Sequence, residues 1–104
     1  MKEDIEDQQP DEEETVELVV DGTLDLHTFA PQDIKYLIPD YLDACVERGI
    51  SYVRIIHGKG KGVLRRITHA ALDGHPAVIA YGLENELGGS WGVTEVRLKV
   101  YRRA

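Results

Sequence analysis

Between Ile34 and Cys45 the apolar residues Ile34, Leu37, Ile38, Tyr41, Leu42 and Cys45 fall at offsets 0, 3, 4, 7, 8 and 11, which places them on one stripe of an α-helix. Pro31 suits the first turn of that helix, Asp33 complements its N-terminal dipole, and Gly49 supplies a stop. The pattern therefore predicts a helix over residues 31–48, bent where Pro39 removes a backbone hydrogen bond. Val63, Leu64, Ile67 and Ala71 form the inward stripe of a second predicted helix, from Val63 to Asp73, ended by Gly74 and Pro76. The remaining apolar runs are short enough for strands: TVELVV at 15–20, TLDLH at 23–27, SYVRII at 51–56, AVIAYG at 77–82 and WGVTEVRLKV at 91–100. In the last of these Val93, Val96 and Leu98 are the apolar contributions, with imperfect alternation. Asp21-Gly22 and LENELGGS read as turns.

Strands alternating with helices in this order predict an α/β fold. It would be a two-layer sandwich on a mixed, mostly parallel sheet of four strands in the sequence β-α-β-α-β-β, with an extra N-terminal strand segment. Its central strands are expected to be parallel. A chain of 104 residues has room for one core. Residues 1–14 are expected to be a disordered acidic tail and 15–104 the domain. Hydrophobic content of 42% and no apolar run near ~20 residues exclude a membrane span. MKEDIEDQQPDEEE is no secretory signal, so a cytoplasmic location is expected. The single cysteine, Cys45, cannot form an internal disulfide and reads as a small buried hydrophobe.

The net charge of -7 argues against nucleic acid until it is divided along the chain. Eight acids and Lys2 lie in residues 1–14, which leaves eleven acids against eleven Lys and Arg in the domain. Nothing from Tyr52 to Leu72 is acidic, while Arg54, Lys59, Lys61, Arg65 and Arg66 are basic, with His57 and His69 among them. That is a positive patch on a neutral domain.

Chain direction brings distant residues together. A strand, crossover helix and parallel strand form a right-handed unit, so TLDLH and SYVRII should point the same way and end at one edge. At ~4.8 Å strand spacing, His27 and His57, each closing its strand, could approach one bound group. Asp25 would face the same side as His27 and orient its ring. A returning last strand would bring Gly88, Gly89, Trp91 and Gly92 to that edge, with Trp91 as a stacking platform for a base. Between His57 and the second helix lies GKGKG. Gly58, Gly60 and Gly62 free the backbone to curl round an anion, Lys59 and Lys61 add charge, and the helix N-terminus adds its dipole, with Arg65 and Arg66 beyond. The spacing matches neither the dinucleotide fingerprint nor the P-loop, so no nucleotide cofactor is expected. Taken singly these residues have plainer readings: a glycine-rich connection, a histidine bonded to its own backbone, Asp25 as a cap, Arg65 and Arg66 as a solvated helix face, Trp91 as core. His69 and His75 receive only the plain one.

LDLH at 24–27, IIHGKGKGVLR at 55–65 and GGSWGVTEVRL at 88–98 together resemble the Smr (small MutS-related) domain family, in order and spacing, over residues 23–99. The resemblance implies an α/β sandwich like the C-terminal domain of a bacterial translation initiation factor, and nicking or endonuclease activity on DNA or RNA. It carries over Asp25 and His27, then His57, Gly58 and Gly60, then Gly88, Gly89 and Gly92. Thr28 stands where the family's first motif commonly continues with glycine. The expected chemistry is phosphodiester cleavage, with His27 and His57 as acid and base, Asp25 orienting His27, and the lysines and loop amides stabilising the charged phosphorane-like state. RNA supplies its own nucleophile and needs no metal; on DNA a Mg2+ or Mn2+ ion would help activate water. The alternative is a non-catalytic module that positions nucleic acid or sits on a machine such as the ribosome. No membrane partner is expected.

Overall fold

A computed structural model of the chain describes residues 19–84 and 92–101. The predicted strand at 15–20 and the acidic tail at 1–14 lie outside the described residues, apart from Val19 and Val20, which are not in a strand. The elements are β1 (Thr23–Asp25), α1 (Pro31–Glu47), β2 (Tyr52–Ile56), α2 (Val63–Asp73), β3 (Val78–Leu83) and β4 (Val93–Leu98), with a 3-10 turn over Leu26–Thr28. Among the described residues no helix is long and apolar enough to cross a membrane.

Helix α1 begins with Pro31 at its first turn and Asp33 near the positive end of its dipole. It runs without interruption through Pro39. At its end Gly49 takes φ +76, Gly49 N–H donates to the Val46 carbonyl at 3.1 Å and Ile50 N–H to Cys45 at 2.9 Å. These two bonds are those of a Schellman cap, which needs the left-handed residue that glycine supplies. The predicted stripe is the buried one: Ile34, Ile38, Tyr41, Leu42 and Cys45 are completely inaccessible. Tyr41 also carries its hydroxyl to the sheet, where it accepts the Gly22 N–H at 3.0 Å and donates to the Thr23 carbonyl at 3.2 Å. This satisfies a buried polar group and sets α1 against the start of β1.

The sheet is mixed, in the order β1-β2-β4-β3. β1 and β2 are parallel neighbours, as the crossover rule requires, with Leu24 opposite Ile55. β4 runs antiparallel to both β2 and β3, so three strands share one direction. The central pair, β2 with β4, is antiparallel and not parallel as the order of elements predicts, because the returning strand inserts between β2 and β3 rather than adding at an edge. The core joins Leu24, Leu26, Val53, Ile55, Val96 and Leu98 of the sheet side to α1 and to Leu72 of α2.

Two inward faces differ from those read in the sequence. In β4 the buried residues are Thr94, Val96 and Leu98, a strict alternation with no shift, whose first member is a threonine. In α2, Thr68 and Leu72 are buried with Leu64, Ile67 and Ala71 packed on the core, while Val63 is exposed. A threonine on each inward stripe lowers its apparent hydrophobicity and displaces the predicted face.

Candidate nucleic-acid site

His27 sits two residues beyond the end of a shortened β1, inside the 3-10 turn, and not on the strand itself. Asp25 causes this break. Its Oδ1 accepts the backbone N–H of His27 at 2.9 Å, the usual way in which an aspartate caps a turn. The same oxygen lies 2.8 Å from His27 Nδ1, so the carboxylate both folds the turn and holds the ring. The two side chains remain about half exposed, at 57% and 52%. The backbone N–H of His27 foremost, then its ring, hold the Asp25 carboxyl below its ordinary value. With Nδ1 donating to Asp25, Nε2 has no hydrogen-bond partner among the described residues and is the nitrogen left over.

That ring lies over Gly58. A methyl group at Gly58 would meet His27 Nε2 at 2.9 Å, and φ of +83 would strain any other residue there. Gly58 is in turn pinned to the turn that leads into β4: the carbonyl of Gly92 accepts the N–H of His57 at 2.8 Å and of Gly58 at 2.9 Å. A side chain on Gly92 would stand 2.9 Å from the Gly58 backbone. Two glycines that the sequence placed at the site thus allow two backbone stretches to touch.

His57 occupies a different setting from the solvent-facing acid or base expected of it. It continues the parity of Val53 and Ile55, so it points under the sheet edge and is only 4% exposed. Both ring nitrogens are committed, Nδ1 to the Gly58 carbonyl at 3.0 Å and Nε2 to the Thr94 hydroxyl at 2.8 Å. Burial is the main reason its pKa lies below the usual histidine value; the Gly58 carbonyl opposes the shift. His69, which has only a plain reading in the sequence, shares the same hydroxyl at 2.9 Å and is lowered likewise by burial.

The loop and helix supply the charge. Gly62 takes φ +86 as the N-cap of α2 and makes no side-chain cap, and no acid stands in the first turn, so the helix's positive end faces out uncompensated. The guanidinium groups of Arg65 and Arg66 fold back over it, 2.9 and 3.4 Å from where a Gly62 side chain would begin. His27 and every residue from His57 to Arg65 line a depression of about 290 Å³. Lys59 and Lys61 stand exposed on its rim. Two distinctly larger depressions lie elsewhere, one on the open sheet face and one between the helices. Among the described residues, Lys35 is the one charged residue lining the latter.

Arg54 is not part of this patch. Its guanidinium makes a two-pronged pair with Glu84 at 2.7 and 2.9 Å, which raises its pKa and offsets its charge. Gly88, Gly89 and Trp91 lie outside the described residues. Asp25, His27, His57, the loop from Gly58 to Gly62, Arg65, Arg66 and Gly92 do converge on one edge. Thr94 and His69 join them there without having been expected; the parity of Thr94 with Val96 and Leu98 is the signal in the sequence that points to it.

A family model for the Smr domain matches residues 24–99. Among curated proteins, Endonuclease MutS2 of Clostridium botulinum (strain 657 / Type Ba4) is 39% identical over 80 residues, which is 77% of this chain and 10% of that protein. The protein of the same name from Thermomicrobium roseum is 47% identical over 60 residues, 58% of this chain and 8% of its own. The chain thus spans about a tenth of the length of these relatives. The crystal structure of the Smr domain of Thermus thermophilus MutS2 superposes with a TM-score of 0.67 at 28% identity, covering 74% of this chain and 96% of that one. YdaL, a stand-alone small MutS-related protein from Escherichia coli, shares the fold at a TM-score of 0.62 and 23% identity, covering 75% of this chain and 64% of its own.

Proposed function

The chain belongs to the Smr domain family, and from that premise we propose that it grips the phosphodiester backbone of RNA or DNA and cuts it beside His27 as an endonuclease. The observation that supports this most is the seat of that imidazole. Asp25 holds Nδ1, Gly58 underlies the ring, and the free Nε2 faces a loop carrying Lys59 and Lys61 at the uncapped N-terminus of α2. On RNA, His27 Nε2 takes the proton of the 2′-hydroxyl as its oxygen bonds to phosphorus and the bond to the 5′-oxygen breaks, the departing oxygen taking a proton from solvent water. On DNA the same nitrogen would deprotonate water. Lys59, Lys61, Arg65, Arg66 and the loop amides stabilise the negative charge that builds on the phosphate. His57 contributes by holding the loop, because neither of its nitrogens is free.

The donor set does not make a protein-held metal centre. With His57 committed, Asp25 and His27 are the candidate ligands, and among the described residues no group of three His, Cys, Asp or Glu side chains gathers. No step is therefore routed through an ion.

The commitment of His57, together with Thr28 after the LDLH motif, favours a second reading: a module that binds nucleic acid, alone or on a machine such as the ribosome, without cutting. One experiment separates the two. Labelled single-stranded RNA, single-stranded DNA and supercoiled plasmid are each incubated with wild-type protein and His27→Ala, with magnesium, manganese or chelator. The nuclease reading expects cleavage that His27→Ala abolishes while most affinity remains. Binding by the wild type with no cleavage under any condition leaves the binding module.

A further inference from the structure

Thr94 is completely buried in β4, and its hydroxyl stands between two imidazoles, 2.8 Å from His57 Nε2 and 2.9 Å from His69 Nε2. A hydroxyl has one proton, so it donates to one ring and accepts from the other. The far side of His57 decides which. Nδ1 lies 3.0 Å from the Gly58 carbonyl oxygen, which can only accept, so Nδ1 carries the ring proton. In the neutral ring Nε2 is then bare and takes the Thr94 proton. Thr94 in turn accepts from His69 Nε2–H. The reverse tautomer of His57 would set a lone pair against the Gly58 carbonyl.

We propose that Thr94, oriented by His69, is a positioning residue that locks His57 in the Nδ1–H tautomer, so that His57 holds the Gly58 carbonyl inward and keeps Gly58 seated under His27. The role rests on reading this edge as a nuclease site, and it connects a fully buried threonine to the exposed imidazole through two intermediates. Val at this position has nearly the shape of Thr but no hydroxyl. Without that hydroxyl, His57 Nε2 is buried and unpaired, and the ring has no reason to keep its tautomer. The Gly58 peptide is then free to turn, and His27 loses its seat. Ser keeps the hydroxyl and removes only a methyl group.

The test compares wild type, Thr94→Val and Thr94→Ser in two readouts. Long-range 1H–15N spectra of the imidazoles should show the Nδ1–H tautomer of His57 in wild type and Thr94→Ser, and lose that single signature in Thr94→Val. Cleavage of labelled single-stranded RNA should show kcat lowered by about ten- to a hundredfold in Thr94→Val, in line with a misplaced reacting group. KM should change little, because the lysines and arginines are untouched, and Thr94→Ser should cleave near the wild-type rate. An unchanged tautomer with wild-type kcat in Thr94→Val overturns the proposal, as does a Thr94→Ser protein as slow as Thr94→Val. If wild type cuts no substrate, the nuclease reading fails by itself, and the lock is judged from the tautomer and from the Gly58 amide shift.

Discussion

Three glycines that look equivalent in the sequence, Gly58, Gly60 and Gly92, should respond very differently to alanine. At Gly92 the added methyl group would stand 2.9 Å from both the Cα and the carbonyl carbon of Gly58, and 3.2 Å from Lys59 N. Carbon atoms prefer at least ~3.5 Å, so a backbone stretch must retreat by roughly 0.6 Å. That stretch is held in place by the two N–H bonds to the Gly92 carbonyl. Forcing such an approach costs about 1–3 kcal/mol, offset in part by the roughly 0.4–1 kcal/mol that Gly→Ala gains from a stiffer unfolded chain. At Gly58 the penalty is the left-handed φ of +83, about 1–2 kcal/mol for an L-residue, plus displacement of the His27 ring. At Gly60 nothing among the described residues lies within 4 Å and φ is not left-handed, so alanine should be neutral or slightly stabilising. Since ~1 kcal/mol moves Tm by about 4–8 °C in a domain of this size, thermal melts should rank Gly60→Ala at or above wild type and both others clearly below it. The same proteins then go into a binding assay with labelled single-stranded RNA. Weaker binding by a fully stable Gly60→Ala would mean that the ligand occupies the space above that residue. A Gly60→Ala protein as unstable as Gly92→Ala, or a Gly92→Ala protein with native Tm, would refute the close backbone approach on which the site is built.

Removing Lys59 or Lys61 should weaken nucleic-acid binding and flatten its dependence on log salt by roughly 0.7–0.9 for each phosphate left without its cation; Arg54→Ala, whose charge is already paired with Glu84, should leave that slope unchanged in the same titration. Thr68 Oγ1 is buried with no hydrogen-bond partner among the described residues, so Thr68→Val should raise stability by about 1 kcal/mol in chemical denaturation, and a decrease would show that the hydroxyl is satisfied in solution. His57 and His69 both titrate below the ordinary 6.5, so the unfolded chain binds their protons first. Their contribution is complete above pH 6.5 and declines as pH falls from there towards the depressed values. Melts from pH 7.5 to 5 should show that decline, and replacing both histidines with glutamine should flatten it.

Much of this arrangement is legible in the residues alone. The period of 3.6 from Ile34 to Cys45 and the crossover rule together yield α1, the parallel pairing of β1 with β2, and the gathering of His27, Gly58 and Gly92 at one edge. What is not legible depends on side-chain partners distant in sequence. Asp25 turns the end of a predicted strand into a 3-10 turn by bonding two residues ahead. Arg54 counts as free charge until Glu84, thirty residues on, is placed beside it. Thr94 and Thr68 belong to inward stripes but read as polar. The neighbours of His57 in sequence suggest a catalytic group, although its parity with Val53 and Ile55 directs it inward. The insertion of β4 between β2 and β3 has no local signature at all.

That insertion governs when the site can exist. The hydroxyl that engages His57 belongs to β4, the Gly92 carbonyl that pins the loop stands immediately before it, and β4 lies inside the sheet between β2 and β3. A chain still being synthesised and reaching no further than Leu83 would hold its imidazoles and lysines without the pieces that assemble them. Whatever activity this edge has must therefore wait until β4 has slid between its two neighbours.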